Sequence, residues 1–404
     1  MNSKKIFKIL LLVIFVIFLF NINVKALDIN SKNAILYNLN DDEILFEKNS
    51  KEKISIASLT KIMTAIVTIE NVSDLDETIV FDMNDFKNLG GYALSGYSFG
   101  NQATYRDLLY AIMLPSGAEA AQAISNHLTG NNDEFIDLMN STAKKIGLKN
   151  TKFDNPIGRD SINNYSTVED VSILLKYCLK NKEFQKIFYT KKFTTTNGLK
   201  LESTLLLKAK VLNTNVDYIK GSKTGTSQGA GLCLASVAEM SNINYLLVTC
   251  NAPYSTTYPY NLEDAINIYK YYDENHCYQK IIKKNQLITI LKVKDSFIKE
   301  LKIYSDKDIE VYMDNKIDVN KLSYEYEGIE IIDYTFKVGE ELGTLKVKYD
   351  NEIIYSYPVV LKTKIYIFPV KIIVGFLIFI IFIILIKKKR KKKHKRRKIK
   401  WKKC

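Results

Sequence analysis

Residues 54–70 read ISIASLTKIMTAIVTIE. Ile56, Leu59, Ile62, Met63, Ile66, Val67 and Ile69 recur mostly at three-and-four spacing, which predicts a largely buried helix with Ser58 in its first turns. Lys61 then falls one turn further on the same face. A Ser-x-x-Lys pattern says little in a lysine-rich chain, since it also occurs at Ser50/Lys53, Ser141/Lys144 and Ser296/Lys299. The apolar setting singles out Ser58/Lys61, because an unpaired ammonium held away from water is costly. Two readings of Lys61 follow. It snorkels to solvent on its methylene stem, or burial and nearby cations lower its proton affinity until it serves Ser58 as a neutral base.

Working outward, residues 34–37 and 43–47 flank a turn at 38–42 and read as an N-terminal hairpin. Thr104 and Asp107 have capping-box spacing, with Asp in place of the usual Glu or Gln, and open a helix to about Met113. Residues 118–128, 133–146 and 167–181 are helical in pattern. Strands return at 218–226, 231–239 and 244–251, and residues 262–275 form a closing helix. Strands at both ends with helices between predict one antiparallel sheet assembled from the two ends of the domain, with helices packed on it: an α+β class. From 277 to 361 the pattern changes, and 287–294, 309–313, 329–337 and 345–349 alternate apolar and polar residues. This is a small β domain without a catalytic cluster, read as a spacer or docking module.

The chain has 404 residues and a formal net charge of +14. The last 18 residues hold 14 of the 58 Lys and Arg and no Asp or Glu, leaving 44 basic against 44 acidic residues in the rest. A balanced body gives no support to nucleic-acid binding. The basic tail, 387–404, follows an apolar run from Pro369 to Ile386. Eighteen helical residues span about 27 Å against a hydrocarbon core of ~30 Å, so a single transmembrane helix is expected at 366–386. The positive-inside rule places the tail in the cytoplasm, against anionic lipid headgroups, and everything before the helix outside. Lys4, Lys5 and Lys8 precede an apolar stretch at 9–20, and Val24-Lys25-Ala26 suits signal-peptidase cleavage, so residues 1–26 read as a signal peptide. The expected domains are a catalytic one at 27–275 and a β-rich one at 276–362.

Cys233 and Cys250 lie in strand-like apolar runs and read as buried thiols, although their pairing stays open. The histidines are His127, His276 and His394, which argues against a Ser-His-Asp triad or a multi-histidine zinc site. No metal or cofactor is expected.

Two further motifs follow Ser58. Ser116-Gly117-Ala118 sits at a helix-to-loop break after Leu114-Pro115. Lys223-Thr224-Gly225-Thr226 runs along the end of a predicted strand, where a lysine, hydroxyls and a close backbone approach suit a carboxylate. In this order the motifs resemble those of the penicillin-recognising serine enzymes. The segments at 56–64, 106–117, 147–151 and 153–156 are similar to the low-molecular-mass penicillin-binding proteins, the serine D-alanyl-D-alanine carboxypeptidases, over about residues 27–275.

The resemblance implies a β-lactamase/transpeptidase-like domain acting on peptidoglycan stem peptides, with β-lactams as covalent inhibitors. It implies Ser58 as nucleophile, Lys61 as the acceptor of its proton, and Ser116 as a proton relay to the departing D-alanine. Lys223, Thr224, Gly225 and Thr226 would bind substrate, and the N–H groups of Ser58 and Thr226 would form the oxyanion hole. The family's second motif usually carries Asn where this chain has Ala118. One orienting contact is then missing or comes from elsewhere, with Asn155 as a candidate stand-in for the amide, and Glu119 reads as a helix-surface charge. A D,D-endopeptidase or a weakly hydrolytic penicillin- or peptidoglycan-binding sensor are the alternatives to a carboxypeptidase.

Overall fold

The computed structural model describes residues 27–296, 298–366 and 370–401, without the side chains of 370–372 and 394–401. The expected signal peptide lies outside the described residues. The chain divides into two compact units that meet between Glu274 and Asn275.

The first unit is built on a five-stranded antiparallel sheet. Its strands are β1 (Asn33–Asn38), β2 (Glu43–Lys48), β7 (Ile219–Ser227), β8 (Gly231–Met240) and β9 (Ile243–Ala252), in the order β2-β1-β9-β8-β7. Ala34 faces Thr249 across β1 and β9, so the sheet joins both ends of the unit as the pattern predicts. Ser241 and Asn242 both have positive φ, 47° and 66°, which is the twist a two-residue hairpin turn needs between β8 and β9. β7 lies at the sheet edge. Two short ribbons, β3 (Thr78–Val80) with β4 (Gln102–Thr104) and β5 (Lys192–Thr194) with β6 (Lys200–Glu202), were not legible in the sequence.

Helix α1 (Thr60–Asn71) runs through the core, and every residue from Thr60 to Thr68 is buried. It is packed among α2 (Tyr105–Met113), α3 (Ala118–Thr129), α4 (Asn132–Ile146) and α5 (Val168–Cys178). The capping box at α2 is present: Asp107 N–H donates to Thr104 Oγ1 at 3.1 Å, and Thr104 N–H to Asp107 Oδ2 at 3.2 Å. The helix expected at 167–181 ends at Cys178. Asn181 starts a new one, α6 (Lys182–Tyr189), by accepting from the N–H groups of Glu183 and Phe184. Helix α7 (Thr204–Leu212), unforeseen, lies against β7, and α8 (Tyr260–Asn275) closes the unit. Cys178, Cys233 and Cys250 are buried free thiols.

Among the described residues the second unit is all-β apart from a 3-10 turn (Val319–Lys321) and one helix. It holds three small sheets: β10 (His276–Ile282) with β13 (Ile309–Asp314); β11 (Leu287–Val293) between β12 (Glu300–Tyr304) and β15 (Ile331–Ile332); and β16 (Glu341–Tyr349) between β14 (Ser323–Gly328) and β17 (Glu352–Val360). Leu291, Ile282, Val347 and Leu361 are among its fully buried residues. The strand expected at 329–337 is reduced to two residues, because a turn follows at Asp333–Thr335, where the Asp333 carboxylate accepts from Thr335 N–H and Oγ1.

Helix α9 (Val370–Trp401) carries exposed apolar side chains from Ile373 to Ile386. Among the described residues no helix is long and apolar enough to cross a membrane. The span expected at 366–386 includes residues 367–369, which lie outside the described ones.

Candidate active site

Ser58 lies in a single 3-10 turn, Ala57–Leu59, that leads directly into α1. The sequence placed it inside the α-helix; the structure puts it just before. Leu59 N–H closes the turn on Ile56 carbonyl at 3.0 Å, with Ile56 and Leu59 both buried. Ala57 takes φ +45°, sparsely allowed for a residue with a Cβ. Two glycines hold it there. A Cβ on Gly158 would stand 2.0 Å from Ala57 carbonyl oxygen, and one on Gly225 would stand 3.1 Å from Ile56 oxygen and 3.2 Å from Ser58 N. Gly225, expected to bind substrate, is placed under the nucleophile turn and lets strand β7 reach it.

Lys61 is 1 % exposed. Its Nζ lies 3.0 Å from Ser58 Oγ and donates to Ile157 carbonyl at 2.7 Å. Burial pulls its pKa from the ordinary 10.5 to about 7, while the Glu119 carboxylate opposes the fall. Of the two readings of Lys61, the structure selects the buried one.

Ser116 is buried, with φ +70°, at the break between α2 and α3. Lys223 Nζ donates to Ser116 Oγ and to Thr224 carbonyl, each at 2.8 Å. Burial, then the charges of Lys61 and Lys208, hold the Lys223 ammonium well below its usual range. Thr224 Oγ1 pairs with Thr204 Oγ1 of α7 at 2.7 Å, and Thr226 is exposed at the strand end. Ser58, Ser116, Thr224 and Thr226 line one cleft of ≈ 500 Å³, with Tyr92 and Asp160 at its sides. The fold therefore brings together Ser58 with Lys61, and Ser116 with Lys223, on three separate segments.

Residues 21–254 match the family described as D-alanyl-D-alanine carboxypeptidase. The chain belongs to that family. Residues 277–366 match the C-terminal domain of penicillin-binding protein 5. The chain is 30% identical to the D-alanyl-D-alanine carboxypeptidase DacF of Bacillus subtilis over 82% of its own length and 85% of the relative's. It is 28% identical to a D-alanyl-D-alanine endopeptidase of Pseudomonas aeruginosa, over 56% of its length and 72% of that protein's. Penicillin-binding protein 5 of Haemophilus influenzae shares the fold, at a TM-score of 0.64 and 23% identity, over 84% of this chain and 98% of that one. This member of the carboxypeptidase family is accordingly a serine hydrolase of the cell wall.

Two expectations for this family member are overturned by its geometry. Asn155 cannot replace the missing amide, because both sides of its carboxamide are committed. Its Nδ2 donates to Asp154 Oδ1 at 2.6 Å and to Arg159 carbonyl at 3.2 Å, and its Oδ1 accepts from Gly158 and Arg159 N–H. It shapes the turn that presents Ile157 carbonyl to Lys61. Glu119 is no surface charge: it is fully buried, and its Oε1 accepts from Ser95 N–H and Oγ, both at 2.6 Å, and from Gly96 N–H at 3.1 Å. It ties the segment around Tyr92 and Ala93, which lines the cleft, to the helix that follows Ser116. Removing its charge by Glu119→Gln takes away a field that favours protonated Lys61. The acid limb of Ser58 acylation is therefore expected to move to lower pH, read from penicillin acylation rates between pH 5 and 8.

Sequence reasoning missed three further residues of the carboxypeptidase site. Lys208 of α7 reaches the cleft, donates to Asn261 Oδ1 at 3.2 Å, and is lowered by burial to about 8. Asp160 accepts from Ser55 Oγ at 2.5 Å, Ser227 Oγ at 2.7 Å and Gly229 N–H at 2.9 Å, and so bridges the nucleophile segment to the end of β7. Gly158 is the third. The signal for Gly158 and Asp160 was the run Asn155-Pro156-Ile157-Gly158-Arg159-Asp160, a turn composition beside the family segment at 153–156.

Proposed function

We propose that Ser58 is acylated by the penultimate D-alanine of a peptidoglycan pentapeptide stem, releasing the terminal D-alanine, and that water then frees the shortened peptide. The observation that carries this is the pair of contacts Lys61 to Ser58 and Lys223 to Ser116 across one cleft. Lys61, neutral in a large share of molecules near pH 7 because of its burial, takes the Ser58 proton as Oγ attacks the carbonyl. Ser116, hydrogen-bonded to Lys223, lies where it passes a proton to the departing amine. The terminal carboxylate is held by Lys223, Thr224 and Thr226, with Lys208 adding positive charge at the same wall. The N–H groups of Ser58 and Thr226 receive the oxyanion, and each such donor is typically worth about 3 kcal/mol of barrier. A β-lactam would acylate Ser58 by the same attack.

The Ile157 carbonyl supports this reading despite Ala118, since it gives Lys61 an orienting acceptor that does not depend on the second motif. In the same reading the protein is exported by residues 1–26 and anchored by the apolar run at 369–386. The catalytic unit then works on the outer face, and the basic tail lies against anionic lipid inside. Membrane fractionation with and without residues 366–404 tests the anchor.

The activity is tested by incubating the full-length protein with a muramyl pentapeptide ending in D-Ala-D-Ala and measuring free D-alanine. Release is expected from the wild type and not from Ser58→Ala, which also forms no covalent adduct with penicillin by mass spectrometry. Release that survives Ser58→Ala would sink the assignment.

A further inference from the structure

Charge is laid out unevenly along the catalytic cleft. Lys208 enters it from α7, one turn beyond Thr204, whose hydroxyl pairs with Thr224. Asp160 enters it at the far end of β7, bonded to Ser227 and Gly229. Among the described residues that line the cleft, Asp160 alone is acidic.

Its carboxylate is held in place but not neutralised. Oδ1 accepts from Ser55 Oγ at 2.5 Å and from Ser227 Oγ at 2.7 Å, and Oδ2 accepts from Gly229 N–H at 2.9 Å. Ser227 Oγ in turn accepts from Ala230 N–H at 3.0 Å, which leaves its own proton for Asp160. A Cβ on Gly229 would stand 3.0 Å from Oδ2, so this glycine lets the backbone close on the carboxylate. All three partners are neutral, and among the described residues no cation pairs with Asp160. The adjoining Arg159 is engaged elsewhere, donating to Asn88 carbonyl at 3.1 Å and lying over the Tyr92 ring. Asp160 is thus an oriented anion at an exposed position of the cleft, with room for a cation.

The course of β7 says which part of a substrate meets it. In the reading proposed above, on which this inference rests, the terminal carboxylate lies by Lys223, Thr224 and Lys208, and the scissile carbonyl lies at Ser58. The stem peptide then runs on past Thr226, and the residue before the penultimate D-alanine is carried one extended step, about 3.4 Å, further toward Ser227. A side chain there that ends in an ammonium would lay its methylenes along the cleft wall at Tyr254, which is 46 % exposed, and bring its charge to Asp160.

We propose that Asp160 is a specificity residue, selecting stem peptides in which the residue before the penultimate D-alanine carries a free side-chain amine. A side chain whose amine is acylated forgoes the ion pair, and one that ends in a carboxylate is repelled.

The test measures D-alanine release by full-length protein from two synthetic tripeptides, Nα-acetyl-L-lysyl-D-alanyl-D-alanine with its side-chain amine free and the same peptide with that amine acetylated. The wild type is expected to favour the free amine by about fivefold or more in kcat/KM, mostly through KM, because the contact is made before the attack as well as during it. Asp160→Asn, which keeps an oxygen for Ser55 and Ser227, is expected to bring the ratio to within about twofold of one. So is Gln228→Lys, at an exposed position lining the same cleft, which leaves the bonds of Asp160 in place and sets a cation beside it. The ratio is read within each variant, so a shifted loop that lowers both rates does not imitate the effect. A wild type that cleaves both tripeptides alike overturns the inference and spares the carboxypeptidase reading. So does a preference that survives in either variant. A wild type that cleaves neither tripeptide overturns both.

Discussion

Lys61→Ala is expected to lower the rate of Ser58 acylation by about 10²- to 10⁴-fold, the usual range for a positioned general base. In the wild type the acid limb of the same rate should bend near pH 7. The sign follows from the direction of the shift. Burial has pulled the ammonium down to about 7, so above that pH Lys61 is mostly neutral and able to accept the Ser58 proton. Below it, each pH unit removes about nine-tenths of the competent form, which costs roughly tenfold in rate. A lysine of ordinary pKa would give a limb several units higher, with almost no activity at neutrality. Lys61→Arg should not rescue, because a guanidinium stays protonated throughout. The measurement is the second-order rate of acylation by a chromogenic β-lactam between pH 5 and 9. An acid limb that stays put in a mutant lacking Lys61 would show that another group titrates.

Gly158→Ala is expected to be as damaging as loss of a catalytic residue, although Gly158 touches no substrate. The added methyl would lie 2.0 Å from Ala57 carbonyl oxygen and 2.9 Å from Ser58 N, on backbone at φ +84° that an alanine rarely adopts. No flexible side-chain end can yield, since the atoms met are backbone. Either the 155–159 turn shifts, carrying Ile157 carbonyl away from Lys61, or the Ser58 turn gives up its strained form. A loss of at least about 3 kcal/mol of stability is expected where clash and left-handed strain combine, along with a fall in acylation of 10²-fold or more, as a misplacement of about 1 Å can cost. Thermal melting and penicillin acylation, measured together, separate the two. A variant with wild-type melting and wild-type acylation would mean that the turn does not need this contact.

The legible part of the site was its chemistry. Ser58 and Lys61 sat in an apolar helical run that pointed inward, whereas Ser116 and Lys223 stood at a helix-to-loop break and a strand end and were picked out through the family's motifs; the structure sets Lys61 against Ser58 and Lys223 against Ser116. What stayed hidden has a physical explanation in each case. Helix α3 reads Ala-Glu-Ala-Ala-Gln-Ala, so Glu119 has no apolar neighbour of any size to mark its face as the buried one. An acidic residue in a first helical turn is also what an exposed helix N-terminus favours. Helix α7 reads TLLLKAKVL, apolar nearly all round, and periodicity cannot say which side meets the cleft. The roles of Gly158 and Asp160 depend on what the turn touches across the sheet, and no local rule carries that. The 3-10 turn at Ser58 was read as α-helix because three residues of 3-10 leave almost the same apolar spacing as the helix they precede.

The place of β1 in the sheet has a consequence for how the chain reaches its native state. Asn33–Asn38 is an interior strand, flanked by β2 and by β9, and its partner residues 245–250 are more than 200 positions away. The entropic cost of closing so long a loop comes before any of the reward from pairing, so this sheet assembles slowly and late. A ribosome-bound chain that has not yet emitted Ile243 holds β1 with one side unpaired. During that interval the five-stranded sheet lacks the strand that joins its two halves, so the catalytic unit cannot lock until its synthesis is almost complete.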